Sequence, residues 1–428
     1  MSMNQRGNPS TLGKPRSLLL LILLLGGALL AFFHRSLVPH QVLFANDGPL
    51  GSMSAHAEKM SQAITGFWHD LYWVGGEQPI PAPDFSDALS LALPPVIYLK
   101  IYAPLCLFLA GFSVWLFFRE LEFGPMVCVL GGLAGGLNML FFSNACWGLS
   151  NWNLTVATMF LSLSALVTKR IRQSWAKALL CGLGVGFGLM EGFDIGAILS
   201  LYTGVSIFFI VWNDEGSLTR KVTRSVWMPI VVVLFSAFVA YQTISTLVQT
   251  QIQGVAGTGQ KAEEKQAHWD FATQWSLPLE ETCRILVPGA FGYRMSAFLP
   301  PADKASAYWG SIGEDARIPL LESQDAKVRI QAARSIVQGG QLPPELEKAL
   351  EGGDPNKLAE AVNLLRGRLS GAWSGSGEYP GVVVLILAAF GLANTLRQKD
   401  GPFLPAERRA VWYWAVIAVV SLLLALGR

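Results

Sequence analysis

The residue best placed to do chemistry is Asp47. It sits in Phe44-Ala-Asn-Asp-Gly-Pro-Leu-Gly51, just past the first apolar run, where Gly48, Pro49 and Gly51 enforce a turn. An aspartate held in a turn at a membrane face can take a proton from a hydroxyl, or offer oxygen to a divalent cation such as Mg2+ or Mn2+. The plainer reading is an Asx-turn that leads the chain out of the bilayer. Met190-Glu191-Gly-Phe-Asp194 adds two acids in a tight link between apolar runs. Such acids are costly if buried unpaired and ordinary if they end two spans in water. On the outer side, with Asp47, they would give three acids from separate parts of the chain on one membrane face.

Other groups carry weaker signals. Lys100 lies a few residues into the second apolar run. It can snorkel to the interface or meet the phosphate of a lipid head group. His69 and Asp70 fall in Trp68-His-Asp-Leu-Tyr-Trp73, which reads as an interfacial aromatic belt or as a helix lying on the membrane that contacts sugar or lipid. Of five cysteines, Cys106, Cys128 and Cys181 lie in apolar runs and read as small hydrophobes. Cys146 and Cys283 fall in expected outer loops and could pair. No CxxC or Cys/His cluster points to zinc.

The elements that must hold these groups are membrane spans. The 428 residues are 52% hydrophobic and 14% charged, against roughly 25% charged in soluble domains, and mean hydropathy is +0.40. A net charge of +2 suggests no nucleic-acid partner. Apolar runs at 17–33, 96–118, 125–142, 154–168, 176–190, 195–212, 226–249, 380–396 and 410–426 predict about nine transmembrane helices in an all-α polytopic fold. The first reads as an uncleaved span, because it is long for a signal peptide and no A-x-A-like site follows closely.

Loop charge sets the orientation. Arg119, the Lys169–Lys177 group, Arg220, Lys221 and Arg224, then Arg397, Lys399, Arg408 and Arg409 all fall on one side. Ser143–Trp152 and Glu191–Asp194 hold no Lys or Arg. Basic loops face the cytoplasm, so residues 1–16 are expected to be cytoplasmic and the C-terminus extracytoplasmic. Residues 17–249 form a transmembrane core with an outer loop at 37–95. An outer segment follows at 250–379, and 380–428 hold two further spans.

Within 250–379 a helical insert is expected at about 315–370. Asp325–Gly339 has helical spacing (Val328, Ala332, Ile336), Pro343-Pro344 breaks it, and Leu346–Leu369 continues as a second helix. A packing insert without chemistry is the simplest account. Within the core, Gly131/Gly135 and Gly132/Gly136 are overlapping GxxxG pairs, and Gly182, Gly184, Gly186 and Gly188 alternate. These spacings suit close helix contact. They do not suit dinucleotide binding, since no strand precedes them.

Three stretches resemble the YfhO-type bacterial membrane proteins, which belong with the GT-C class of glycosyltransferases. They are Asn46-Asp47-Gly48-Pro49; Thr273-Gln-Trp-Ser-Leu-Pro-Leu-Glu280 continuing to Pro288-Gly-Ala-Phe-Gly292; and Tyr308-Trp309-Gly310, taken up again at Gly377-Glu378-Tyr379-Pro380-Gly381. About sixty residues, the insert among them, separate the last two pieces, which the family tends to join. The resemblance implies a GT-C-like core in a bacterial inner membrane. It implies transfer of a sugar from a polyprenyl-phosphate donor to an extracytoplasmic glycan or polymer. Asp47 would then be metal ligand or base, and the Trp275, Glu280 and Arg284 segment would lie at the substrate. The chain looks like the N-terminal half of such proteins, so a second membrane chain could supply the remainder. The rival expectations are a non-catalytic scaffold subunit and, less well supported, a transporter.

Overall fold

A computed structural model describes residues 14–59, 67–69, 76–78, 84–248, 269–270, 273–292, 308–337, 341–369, 378–397 and 402–427. These are mostly helical, as expected. They divide into two compact units: Met1–Gly257 with Pro380–Ile417, and Thr258–Tyr379 with Ala418–Arg428.

The first unit opens with α1 (Lys14–Leu37), α2 (Leu50–Lys59) and a short antiparallel ribbon, β1 (Phe67–His69) with β2 (Gly76–Gln78). Then follow α3 (Phe85–Ala92), α4 (Pro95–Glu120), α5 (Pro125–Gly136), α6 (Met139–Trp147) and α7 (Ser150–Val167). The series continues with α8 (Ser174–Glu191), α9 (Phe193–Asn213), α10 (Leu218–Val239) and α11 (Tyr241–Leu247).

Each apolar run is helical over its described residues, and two are broken: 226–249 falls on α10 and α11, parted at Ala240. The run at 125–142 is two helices, α5 and α6, bent by 40°. Gly136-Leu137-Asn138 ends the first, and the Asn138 side chain caps the second by accepting from the Leu140 and Phe141 amides. Among the described residues five helices are long and apolar enough to cross a membrane, or six if the bent pair is one span. This marks a membrane protein. Helices α7 and α8, 18 residues each, are richer in Ser, Thr and Gly and bury much of their surface inside the bundle.

Packing follows the spacing. Leu21, Leu25, Leu29 and Phe33, each four apart, bury one stripe of α1 against Ala103, Leu107 and Trp115 of α4. Helices α4 and α5 touch through glycine: a Cβ on Gly111 would sit 2.6 Å from the Gly132 carbonyl oxygen. On α8 the alternating glycines serve two neighbours. Gly182 and Gly186 abut Val232, Ser236 and Val239 of α10, and Gly184 and Gly188 abut Thr158 and Ser162 of α7. The small residues thus let three helices close together.

The second unit contains a 3-10 turn, Leu279–Ile285, packed beside a small core of Leu277, Tyr308 and Ile312. The insert holds α12 (Ile318–Leu321), α13 (Ala326–Ile336), α14 (Pro344–Glu351) and α15 (Pro355–Arg366) around Leu321, Ala332, Ala333, Leu350 and Leu365. The expected hairpin is therefore a stack of short helices. The stretch 346–369 breaks because Gly352 ends α14 with φ +93, Asp354 caps α15 and Pro355 starts it. Buried Arg329 ties the stack, donating to the carbonyls of Ser323, Gln324 and Leu350 at 2.6, 2.9 and 2.9 Å. The chain ends with α16 (Val382–Leu396) and α17 (Pro405–Ala425).

Candidate functional site

Asp47 lines a cavity of about 320 Å3 in the first unit. Its walls come from α2 (Met53, Ala57), α3 (Ser86, Asp87, Ser90), α4 (Tyr98, Leu99, Tyr102), the link from α6 to α7 (Gly148, Leu149) and Glu191 at the end of α8. The Asp47 turn is pinned to that link. The Asp47 amide donates to the Trp147 carbonyl at 3.0 Å. Gly148 ends α6 in the left-handed region, leaving room for the Asp47-Gly48 backbone against it. The exposed Asp47 carboxylate accepts from the Asn46 side-chain amide at 2.9 Å.

The opposite wall is a second carboxylate system. Glu191, buried, accepts from the Phe85 and Ser86 amides at 2.8 and 3.3 Å and from the Ser86 hydroxyl at 2.6 Å. The hydroxyls of Ser86 and Tyr102 are themselves hydrogen-bonded. Asp84 caps the same helix from within, accepting from the Asp87 amide at 2.8 Å. Two carboxylates thus share the N-terminus of α3, where free amides and the helix dipole favour negative charge. Burial, then the Glu191 charge and then Asp87 push the Asp84 carboxyl up to about 8. This carboxyl therefore takes up a proton far more readily than a free aspartate. Among the described residues lining the cavity none is Lys, Arg or His, while four are Asp or Glu.

No family model, curated protein or solved structure matches this chain.

The acids expected to converge do so in part. Asp47 and Glu191 line one cavity, whereas Asp194 is exposed, outside the lining, and accepts from the Ile195 amide at 2.8 Å. The head group of Lys100 is taken up by the end of α1: it donates to the carbonyls of Ser36, Val38 and Gln41 at 2.8, 2.6 and 2.8 Å. That is a helix C-cap supplied by another helix, so a phosphate would compete with three backbone acceptors. Residues 67–69 form a strand rather than a surface helix, in keeping with the strand preference of Phe and Trp. Asp70 and the side chain of His69 lie outside the described residues.

Trp275, Glu280 and Arg284 lie in the second unit. Trp275 and Glu280 are exposed. Arg284 is buried and pairs with Glu281 at 3.0 Å and Glu378 at 3.2 Å. Glu281, not Glu280, is the centre there. It accepts from the Tyr308 hydroxyl at 2.9 Å and the Ser311 amide at 2.8 Å. Cys146 and Cys283 are free thiols.

Sequence reasoning missed Asp84, Ser86, Asp87, Tyr98 and Tyr102. A readable signal existed for the first three: Asp84-x-x-Asp87 ahead of an apolar stretch is a helix-start pattern. Among the described residues no three His, Cys, Asp or Glu side chains are gathered as a metal site.

Proposed function

We propose that the protein is a membrane glycosyltransferase that moves a sugar from a polyprenyl-phosphate carrier to an extracytoplasmic glycan or polymer, as its resemblance to YfhO-type proteins implies. One observation carries this reading: Asp47 faces a cavity that joins acids and tyrosines to apolar side chains. The volume lies at the small end for ligand sites, which suits one sugar unit better than a whole lipid. In this reading all nine apolar runs cross a bacterial inner membrane, with the N-terminus cytoplasmic and the cavity on the outer side. The low apolarity of α7 and α8 is then the mark of interior helices, which need not face lipid.

The transfer requires an acceptor oxygen to attack the sugar's anomeric carbon. The carbon–oxygen bond to phosphate breaks, and its electron pair leaves with the polyprenyl phosphate. Asp47 takes the acceptor hydroxyl's proton, while the acid-lined cavity holds the sugar hydroxyls. With no described cation in the lining, the donor phosphate belongs outside the cavity, toward the membrane surface. Asp47→Asn should abolish transfer from polyprenyl-phosphate sugars in proteoliposomes while insertion and thermal midpoint stay unchanged. Undiminished transfer would remove Asp47 from the mechanism.

A second reading has its own support. Asp84 and Glu191 both cap α3, a structural duty that explains two of the acids without chemistry. A non-catalytic scaffold predicts no turnover of any polyprenyl-phosphate sugar and stable co-purification of a second membrane chain.

A further inference from the structure

The second unit has a cleft of its own, about 580 Å3, lined in part by Phe291, Trp309, Ser311, Glu280, Glu314 and Arg366. Its floor is a tryptophan 67% exposed to solvent. An indole so exposed offers apolar area that a ligand could cover. The ring packs on Phe291: the centroids of Phe291 and Trp309 are 4.4 Å apart, and the Trp309 amide donates to the Phe291 carbonyl at 2.9 Å. The loop carrying it is fixed by buried Glu281, which holds the Tyr308 hydroxyl and the Ser311 amide. A Cβ on Gly310 would collide with that carboxylate. The platform is therefore formed before any ligand arrives.

The rim is polar and of mixed sign. Arg366 lies 3.6 Å from Glu314 and 3.0 Å from Glu322. Glu280 is exposed and Ser311 stands beside the ring. A bare cation would be opposed by Arg366, and an anion by the glutamates. A neutral polyol meets neither objection. A pyranose has a C–H face that lies flat on an aromatic ring and an edge of hydroxyls that both donate and accept. Carboxylates and a guanidinium answer those hydroxyls with charge-assisted hydrogen bonds.

We infer that this cleft is a saccharide-binding site, with Trp309 as its stacking platform and Glu280, Glu314 and Arg366 as its hydroxyl-binding rim. It is a binding site only and stands apart from the transferase reading of the Asp47 cavity. The test uses the full chain in lipid nanodiscs, free of glycoside detergents, titrated calorimetrically with neutral hexoses, N-acetylhexosamines and their short oligomers. At least one should bind saturably. Trp309→Ala should weaken it about tenfold or more, the loss expected for one good ring contact, while Trp309→Phe should stay within about threefold. Trp269→Ala, an exposed tryptophan of the same unit outside the cleft, should leave binding unchanged. Absence of binding by every sugar tested, or unchanged affinity in Trp309→Ala, would overturn the assignment. Because turnover is not measured, either outcome leaves the role of Asp47 to its own test.

Discussion

The Asp47 amide and the Trp147 carbonyl, 3.0 Å apart, lock the acidic turn after α1 onto the end of α6. Gly148, the next residue, has φ +111, and a Cβ there would lie 2.9 Å from the Gly48 nitrogen and 3.2 Å from that of Asp47. Gly148→Ala should therefore cost about 1–3 kcal/mol of stability through backbone strain and push the turn away from the cavity. Transfer activity should fall toward that of Asp47→Asn, with membrane insertion retained. Gly51→Ala is the control, since Gly51 has open space around its Cβ position. Equal activity in the two alanine variants would refute the positional role of Gly148.

Asp84 makes stability depend on pH with a definite sign. Its carboxyl is pushed from 3.8 up to about 8 in the folded protein. Between those values the folded state binds more protons than the unfolded state, so stability falls as pH rises. The contribution is complete below about pH 4 and gone above about pH 8. Asp84→Asn keeps a good capping residue and removes the titration. The thermal midpoint of the wild type should drop across this window, and that of the variant should drop less. Parallel curves would refute the shift.

Lys100 separates a structural duty from a ligand duty. Its ammonium satisfies three carbonyls at the end of α1. Lys100→Met should cost about 1–3 kcal/mol through the lost capping. KM for a polyprenyl-phosphate donor should not move. A large rise in KM with an unchanged thermal midpoint would instead make Lys100 a phosphate ligand.

Glu281 should be the most sensitive acid of the second unit. It is 1% exposed and meets Arg284, Tyr308 and Ser311. Glu281→Gln replaces one of the two carboxylates paired with Arg284 by a neutral amide and turns that amide toward groups that donate. A loss of about 3 kcal/mol is expected, read as a lower midpoint of the unit's unfolding. Glu280→Gln, at an exposed position, should lie within about 0.5 kcal/mol of wild type.

What was legible in the sequence was periodic or punctuated. Every long apolar run is helical, because a membrane leaves no other way to satisfy the backbone. The GxxxG and alternating glycines announced the contacts of α5 and α8, since small residues there have few other uses. Topology grouped Asp47, Glu191 and Asp194, of which the first two line one cavity. Lys100 could not be assigned, because its partners are carbonyls of another helix and carry no side-chain signal. Asp84 and Asp87 were lost because the short helix they start, α3, buries no residue and falls in a stretch expected to be an outer loop. The break at Gly352-Gly353-Asp354-Pro355 was readable by turn chemistry, but the apolar spacing on either side hid it.

Because α3 contributes nothing to the hydrophobic interior, what fastens it is mostly a handful of polar bonds to a single glutamate on a distant helix. One flank of the chamber is in effect a latch, and undoing it would disturb none of the greasy packing that keeps the bundle upright.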